Sequence, residues 1–469
     1  MALRFLQNKQ SAVLMTVGDP KKAILGFAAP IFLSQLFQQL YSTADAWIVS
    51  RFLGDDAFAA VSSSGSLIFL IISFFVGASM GAGVVISRYF GAGELEKMSR
   101  AVHTNVLVAL ICGACVSVFG VTMTPHILVW INVDPDILPL STLYFRYYFM
   151  GALAMVMYNS LKGVMNAVGD SRRPLFYLIF SSLLNISLDT LFVGVMGLGI
   201  EWAAIATTIS QAASALLCLR QLTREGTVYR LSFRKLKIHG DILKEILRYG
   251  LPTAVQNSVI AFANVLVQSN VNTFGEIGMA SWGAYSKIEG FAFLPITSFS
   301  MALTTYIGQN LGAKEYDRAK AGARFGIITS LVLSEITGLL IYLLARQLIS
   351  FFISDPETVR WGIEHCRTIA LFYFLLSFSH CIAGICRGAG RAFVPMLIML
   401  SVWCVFRIIY ITIAMKIRHD IVLLYWAYPI TWGISSVIYL IYYLKSDWLH
   451  GFEQKSRLLR VKEKEEQPA

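Results

Sequence analysis

Charge is what this sequence is short of. Asp, Glu, Lys and Arg make up 14% of its 469 residues while 56% are hydrophobic, against about 25% charged in an ordinary soluble domain. That composition excludes a soluble fold. Cysteine is scarce as well: there are seven, an odd number, and Cys112, Cys115, Cys218, Cys381, Cys386 and Cys404 lie inside apolar runs, where a thiol behaves as a small hydrophobe. No disulfide framework is implied. Cys112 and Cys115 form a C-x-x-C without His or further Cys at ligand spacing, which reads as packing rather than metal or redox chemistry. Met1 to Asp19 lacks the charged-then-apolar pattern and cleavage site of a secretory signal. No motif brings a nucleophile, a base and oxyanion donors together, so no enzyme is expected.

What is abundant is long apolar runs, each near the ~20 helical residues that cross a hydrocarbon core. Breaks at charged or Pro/Gly-rich residues give twelve candidate spans, about 23–50, 57–87, 101–124, 138–166, 174–196, 202–221, 243–271, 278–308, 322–345, 361–386, 393–415 and 421–444. The expected fold is therefore an all-α integral membrane protein. Lys and Arg number 39 against 28 Asp and Glu, an excess assigned to cytoplasmic loops rather than to nucleic acid. Every second connection is basic: Arg88, Lys97 and Arg100; Lys162, Arg172 and Arg173; Arg220 to Arg248; Lys314, Arg318, Lys320 and Arg324; Arg387 and Arg391; and the tail from Lys445. The alternate connections carry mostly Asp55, Asp56, Asp134, Asp136, Glu201, Glu276, Asp355, Glu357 and Glu364. The positive-inside rule then puts both termini in the cytoplasm.

The chain matches itself at a displacement of 221 residues: Gly54 on Gly275, Gly91-Ala92 on Gly312-Ala313, Glu94 on Glu315, Asp134-Pro135 on Asp355-Pro356, Gly163 on Gly384, Gly169 on Gly390 and Pro174 on Pro395. One ungapped register joining loop to loop and span to span indicates duplicated halves. The expected organisation is a six-helix N-terminal lobe over 1–221, a basic cytoplasmic linker over 222–242, a six-helix C-terminal lobe over 243–445 and a cytoplasmic tail over 446–469. An even number of spans per half gives both halves the same orientation, related by a pseudo-two-fold axis along the membrane normal. In transporters with that symmetry, the substrate site lies between two bundles that rock against each other.

Polar groups inside the spans carry the rest. In the first span Gln35, Gln38, Ser42 and Asp45 fall on one helical stripe, and in the fifth Ser181, Asn185 and Asp189 sit at i, i+4 and i+8. Facing stripes bring the two carboxylates together with the Asn185 amide, and Thr207 or Thr208 in the sixth span adds a hydroxyl. Two carboxylates in a low-dielectric pocket repel each other and are poorly solvated, so the pair favours binding H⁺ or Na⁺. The bland alternative is that each Asp accepts hydrogen bonds from neighbouring Asn, Gln and Ser and holds the bundle together.

The second half does not repeat the pair, because Asp45 is matched by Leu266 and Asp189 by Tyr410. It holds Lys287, Glu289, Glu335 and Arg407, with Gln256, Asn257, Asn264 and Gln268 along the seventh span. Gln35, Gln38, Gln256, Asn257, Asn264, Glu289 and Arg407 are candidates for a substrate cavity. Structural ion pairing explains Lys287, Glu289, Glu335 and Arg407 equally well, and His380 reads as a packing residue. Pro30, Pro252 and Pro295 suggest bends.

These residues resemble the MATE (multidrug and toxic compound extrusion) family: an early Pro30 and Gln35, Asp45 followed by Val49 to Gly54 and the Ala-rich Ala57 to Val61, and Gly91-Ala92-Gly93 after the second span. The resemblance covers about residues 20–445. It implies a V-shaped pair of lobes, a cation site formed here by Asp45, Asn185, Asp189 and Thr207, and export of amphipathic, often cationic compounds in exchange for H⁺ or Na⁺ by alternating access. It further implies a monomer in the bacterial inner membrane, contacting lipid and small-molecule substrates and needing no cofactor. One branch of the family carries a second acidic pair in the seventh and tenth spans. Here the seventh has Gln256 and Asn257, and the tenth has only Glu364 at its outer end. A lipid-linked precursor flippase of the same superfamily is the alternative, kept open by Arg407 and Lys287.

Overall fold

The computed structural model describes residues 12–130, 133 and 135–452. Asp134, half of one repeat match, and residues 453–469 of the basic tail lie outside the described residues. The described chain is helical and arranges as twelve rods. We label them α1 (Pro20–Leu53), α2 (Asp55–Gly91), α3 (Leu95–Trp130), α4 (Leu138–Met150 and Ala152–Ala167), α5 (Arg172–Asp189, continued by Thr190–Val195) and α6 (Ile200–Thr223). The second set is α7 (Gly240–Val271), α8 (Gly275–Gly312), α9 (Tyr316–Ser350), α10 (Pro356–Ala370 and Tyr373–Gly388), α11 (Phe393–Met399, Leu400–Phe406 and Arg407–Ile417) and α12 (Ile421–Lys445). Among the described residues, nine stretches are long and apolar enough to cross a membrane, or ten with the two halves of α10, which meet at 51°. One of those stretches, Gly240–Gly312, contains both α7 and α8.

Two features depart from the single straight helices expected from sequence. The fourth and tenth spans are each broken in two, at Gly151 and at Leu371-Phe372. The fifth and eleventh each contain a wide π-helical stretch, Thr190–Val195 and Leu400–Phe406. Hydropathy registers neither, because both keep the chain apolar and change only the backbone hydrogen-bond register. Pro30, Pro252 and Pro295, in contrast, lie inside unbroken helices.

The chain divides into two compact units, one taking in Ala29–Gly250 and the other Met15–Ala28 and the chain from Leu251. The division falls inside α7, and the first turns of α1 group with the second unit. The 222–242 connection packs on the first unit: Tyr229 and Leu231 are buried, the Ser232 amide donates to His103 Nε2 at 3.0 Å, and the His239 amide donates to Thr104 Oγ1 at 3.2 Å.

The duplicated residues have backbone reasons to recur. Gly54 and Gly275 open α2 and α8 with φ 85° and 69°, and Gly169 and Gly390 follow α4 and α10 with φ 83° and 74°, a region that only glycine enters without cost. Gly93 (φ 73°) is matched by Lys314, which holds the same left-handed turn at φ 61°. A β-carbon there costs about 1 kcal/mol, so Lys314→Gly is expected to raise the melting temperature by a few degrees, whereas Gly93→Ala lowers it. Asp355 caps α10 by accepting from the Thr358 amide at 2.8 Å and hydroxyl at 2.6 Å, which holds its carboxyl below the usual carboxylate range.

In the second unit the segment before α1 is pinned to the α8–α9 turn. The Met15 amide donates to Gln309 Oε1 at 2.9 Å, and the Arg318 guanidinium donates to the carbonyls of Met15 (3.0 Å), Val17 (2.9 Å) and Gly18. Arg318→Ala should cost about 1–3 kcal/mol for these charge-assisted bonds, seen as a lower melting temperature and faster proteolysis between residues 12 and 19.

Candidate functional site

The first unit brings α1, α5 and α6 together around the residues singled out from sequence. On α5 the stripe Ser181, Asn185 and Asp189 is buried along its length, Asp189 at 0% exposure. The π-helical stretch begins at the residue after Asp189, and such widened turns recur at functional positions. The Asn185 amide points to α6, with Nδ2 donating to Thr207 Oγ1 at 3.4 Å. Thr207 is thus the hydroxyl on this face. Thr208 hydrogen-bonds the Ala204 carbonyl at 2.9 Å and packs against Gly151, because residues one apart on a helix point about 100° away from each other.

Asp45 on α1 lies within hydrogen-bonding reach of Asp189. Both Asp189 oxygens, Asp45 Oδ1 and Asn185 Oδ1 are buried and make no hydrogen bond among the described residues. Beside them is a cavity of about 10 Å³ lined by Tyr41, Leu178, Ser181, Ser182, Asn185, Thr207, Ser210 and Gln211, roughly the room one water needs. An apolar cluster that includes Ile48, Val49, Tyr144, Val193, Ile200 and Ala203 closes the bundle beyond the carboxylates, keeping the local dielectric low. Tyr41, Ser210 and Gln211 were not picked out from sequence. Their signal was present: Tyr41 is one turn before Asp45, and Gln211 one turn after Thr207.

The buried Asp189 and the half-buried Asp45, with three buried oxygens between them that make no hydrogen bond among the described residues, form beside neutral oxygen donors a site that a proton or a small monovalent cation satisfies. Buried anions left unpaired are costly. Among the described residues no group of three or more His, Cys, Asp or Glu is placed to hold a metal ion.

The substrate-cavity candidates are placed unevenly. Gln38 and Asn264 are exposed, and Gln35, Asn257 and Glu289 are half-buried. Gln256 and Arg407 are turned into their unit, at 3% and 2% exposure. Gln256 Nε2 lies 2.8 Å from Met399 Sδ. Arg407 donates to Thr431 Oγ1 at 2.9 Å with its guanidinium over the Tyr428 ring at 4.2 Å. Lys287 is exposed. Glu289 Oε1 accepts from the Tyr285 hydroxyl at 3.3 Å, and that hydroxyl lies 3.0 Å from Tyr373 Oη. His365, which sequence reasoning passed over, is fully buried between the rings of Tyr285 (3.7 Å) and Tyr425 (4.0 Å). His380 packs beside Phe293 and Trp403.

A family model, MatE, matches residues 30–191 and, a second time, 252–413, once in each half. The chain belongs to the MatE family. Within that family it is similar to the probable multidrug resistance protein YoeA of Bacillus subtilis (strain 168), 28% identical over 427 residues that cover 89% of this chain and 92% of that protein. It is also similar to YpnP of the same organism, again named a probable multidrug resistance protein, 28% identical over 83% of this chain and 87% of that one. Among solved structures, the outward-facing conformation of a multidrug resistance MATE family transporter of the MOP superfamily superposes with a TM-score of 0.85 at 23% identity, covering 96% of this chain and 99% of that chain. MatE membership and this likeness of fold bear out the resemblance and the all-helical membrane fold read from sequence.

Proposed function

We propose that this MatE protein is a multidrug exporter that expels small amphipathic, cationic molecules in exchange for H⁺ or Na⁺ by alternating access. The observation that carries the reading is the Asp45–Asp189 pair, with Asp189 fully buried, Asn185 and Thr207 beside it, and Asp45 Oδ1 and both Asp189 oxygens buried without a hydrogen-bond partner among the described residues. A cation or proton on the pair neutralises it and changes how α1, α5 and α6 pack. Substrate and ion are then linked, since each binds the two packing states differently. The names of the curated relatives support export of drugs and do not favour a lipid-linked precursor flippase. The alternation of basic and acidic connections supports a multi-pass arrangement in the bacterial inner membrane with both termini on the cytoplasmic side, and in this reading the transporter acts as a monomer without a cofactor.

The test is uptake of a cationic amphipathic dye into inverted vesicles while the proton gradient and the Na⁺ gradient are collapsed separately. Transport stopping under one collapse names the coupling ion. Transport that survives both collapses overturns the antiport reading.

A further inference from the structure

The end of the second unit at the α9–α10 turn carries arginines that the coupling site does not use. The first half of α10 is sharply two-faced: Thr358, Gly362, His365, Cys366 and Ile369 are buried, while Arg360, Glu364 and Arg367 are exposed on the other side. With Tyr342 of α9, Ile363 and Thr368 they line an open groove of about 420 Å³. The groove has rigid walls, because α9 and α10 meet at glycine contacts on both sides of it, Gly362 against Ile349 and Gly338 against the Ala370 backbone. Arg367 does not swing away toward water but lies over the Tyr342 ring at 5.5 Å, and Arg346 stands one turn from Tyr342 on the same face of α9. Among the described residues neither Arg360 nor Arg367 forms an ion pair.

Below the charges the same surface turns apolar. Leu371, at the break of α10, and Phe374, just beyond it, are exposed, and on α9 Leu339, Leu340 and Leu343, all within one turn of Tyr342, are exposed as well. Glu335, two turns from Tyr342 along α9, is half-buried in the seam. A charged head region running into an exposed apolar strip matches an amphiphile rather than a free ion. Arginine forks suit phosphate oxygens, and the arginines here flank a carboxylate able to take a hydrogen bond from a donor.

We propose that this groove binds a membrane phospholipid, with Arg360 and Arg367 on the phosphate diester, Glu364 accepting from the headgroup ammonium or hydroxyl, and the acyl chains along Leu339, Leu343, Leu371 and Phe374. The site is independent of the coupling carboxylates, and its test reads lipid binding rather than transport.

Native mass spectrometry of the full chain in detergent, titrated with phosphatidylethanolamine and with phosphatidylglycerol, measures the affinity. Arg360→Gln with Arg367→Gln should weaken both lipids by about five-fold or more. Arg418→Gln, at the neighbouring α11–α12 turn and paired with Asp420 at 2.8 Å, should change neither. Glu364→Gln should weaken the ethanolamine lipid more than the glycerol lipid, a split that general loss of structure does not produce. Inorganic phosphate at millimolar concentration should displace neither. Should the double variant fold poorly, Arg360→Gln alone, which keeps the Arg367–Tyr342 contact, should still weaken binding by about two-fold. Unchanged lipid affinity in the arginine variants overturns the proposal, and full displacement by inorganic phosphate overturns it in favour of a free-anion site.

Discussion

Asp189→Asn is expected to reduce gradient-driven uptake into inverted vesicles by about 5- to 150-fold, the range of a coupling free energy of 1–3 kcal/mol. The asparagine keeps the volume of Asp189 and its place next to the π-helical stretch while removing the charge that the proposed mechanism has answer the ion. Asp189 is wholly buried, so the substitution removes a buried charge, and an asparagine amide still offers the neighbouring Asp45 and Asn185 side chains a hydrogen-bonding group. The variant should therefore fold at least as stably as the wild type. Asp45→Asn should behave alike, because in the proposed mechanism the two carboxylates answer the ion as a pair. Thr207→Val should have a smaller effect, since the hydroxyl contributes one neutral oxygen to the shell.

By linkage, whatever factor the ion changes in substrate affinity, the substrate changes in ion affinity. Both Asn variants should accordingly bind substrate with an affinity that no longer depends on the coupling ion, which equilibrium binding in detergent reads without any gradient. Wild-type transport in both variants would show that the pair only holds the bundle together, and would move the search for coupling to Glu289 and Glu335.

The second large effect is a stability contrast between duplicated glycines. A β-carbon on Gly384 would lie 2.5 Å from the Ser300 carbonyl and 3.0 Å from Ser300 Oγ, where α10 crosses α8. Gly388, one turn on, meets the Thr304 carbonyl at 2.5 Å. The crossing is tied by Ser300 Oγ donating to the His380 carbonyl at 2.7 Å and Thr304 Oγ1 donating to the Gly384 carbonyl at 3.1 Å. Small residues one turn apart allow this approach, and the obstacle is backbone, which cannot rotate away. Gly384→Ala should therefore cost about 1–3 kcal/mol.

Its repeat partner Gly163 faces the same kind of crossing with more room, its β-carbon meeting the Ser79 carbonyl at 3.4 Å and Ser79 Cβ at 3.6 Å. Gly163→Ala should be neutral or stabilising by up to about 1 kcal/mol, from the better helix propensity of alanine. Fluorescence-detected gel filtration after heating each purified variant measures the difference. Equal losses in both would mean that the two halves pack alike at this crossing, contrary to their distances.

The residues of the proposed coupling site were legible because helical period and chemistry coincide. Gln35, Gln38 and Asp45, like Ser181, Asn185 and Asp189, are polar groups at helical spacing in otherwise apolar spans, and burying such groups is costly enough that a stripe of them needs a partner. Matching the chain to itself at a displacement of 221 residues exposed the repeat, since glycines held at positive φ cannot drift without strain. Other signals were ambiguous at that level. A threonine pair such as Thr207 and Thr208 carries no mark of which member faces α5. Arg407 and Gln256 look in sequence like polar groups on a cavity wall, and packing turns both inward.

By itself the sequence determined that the chain crosses a membrane many times as helices, that its halves are copies, and that only the first copy carries the aspartate pair Asp45 and Asp189. These follow from composition, period and register, which are properties of the chain alone. The tertiary structure decided which faces of those helices meet: Asn185 against Thr207, His365 between two tyrosine rings, Arg367 over Tyr342 at the rim of a groove, and Gly384 pressed onto a carbonyl where Gly163 is not. Helix azimuth is set by the sum of many side-chain contacts between elements distant in the chain, and no local pattern contains that sum.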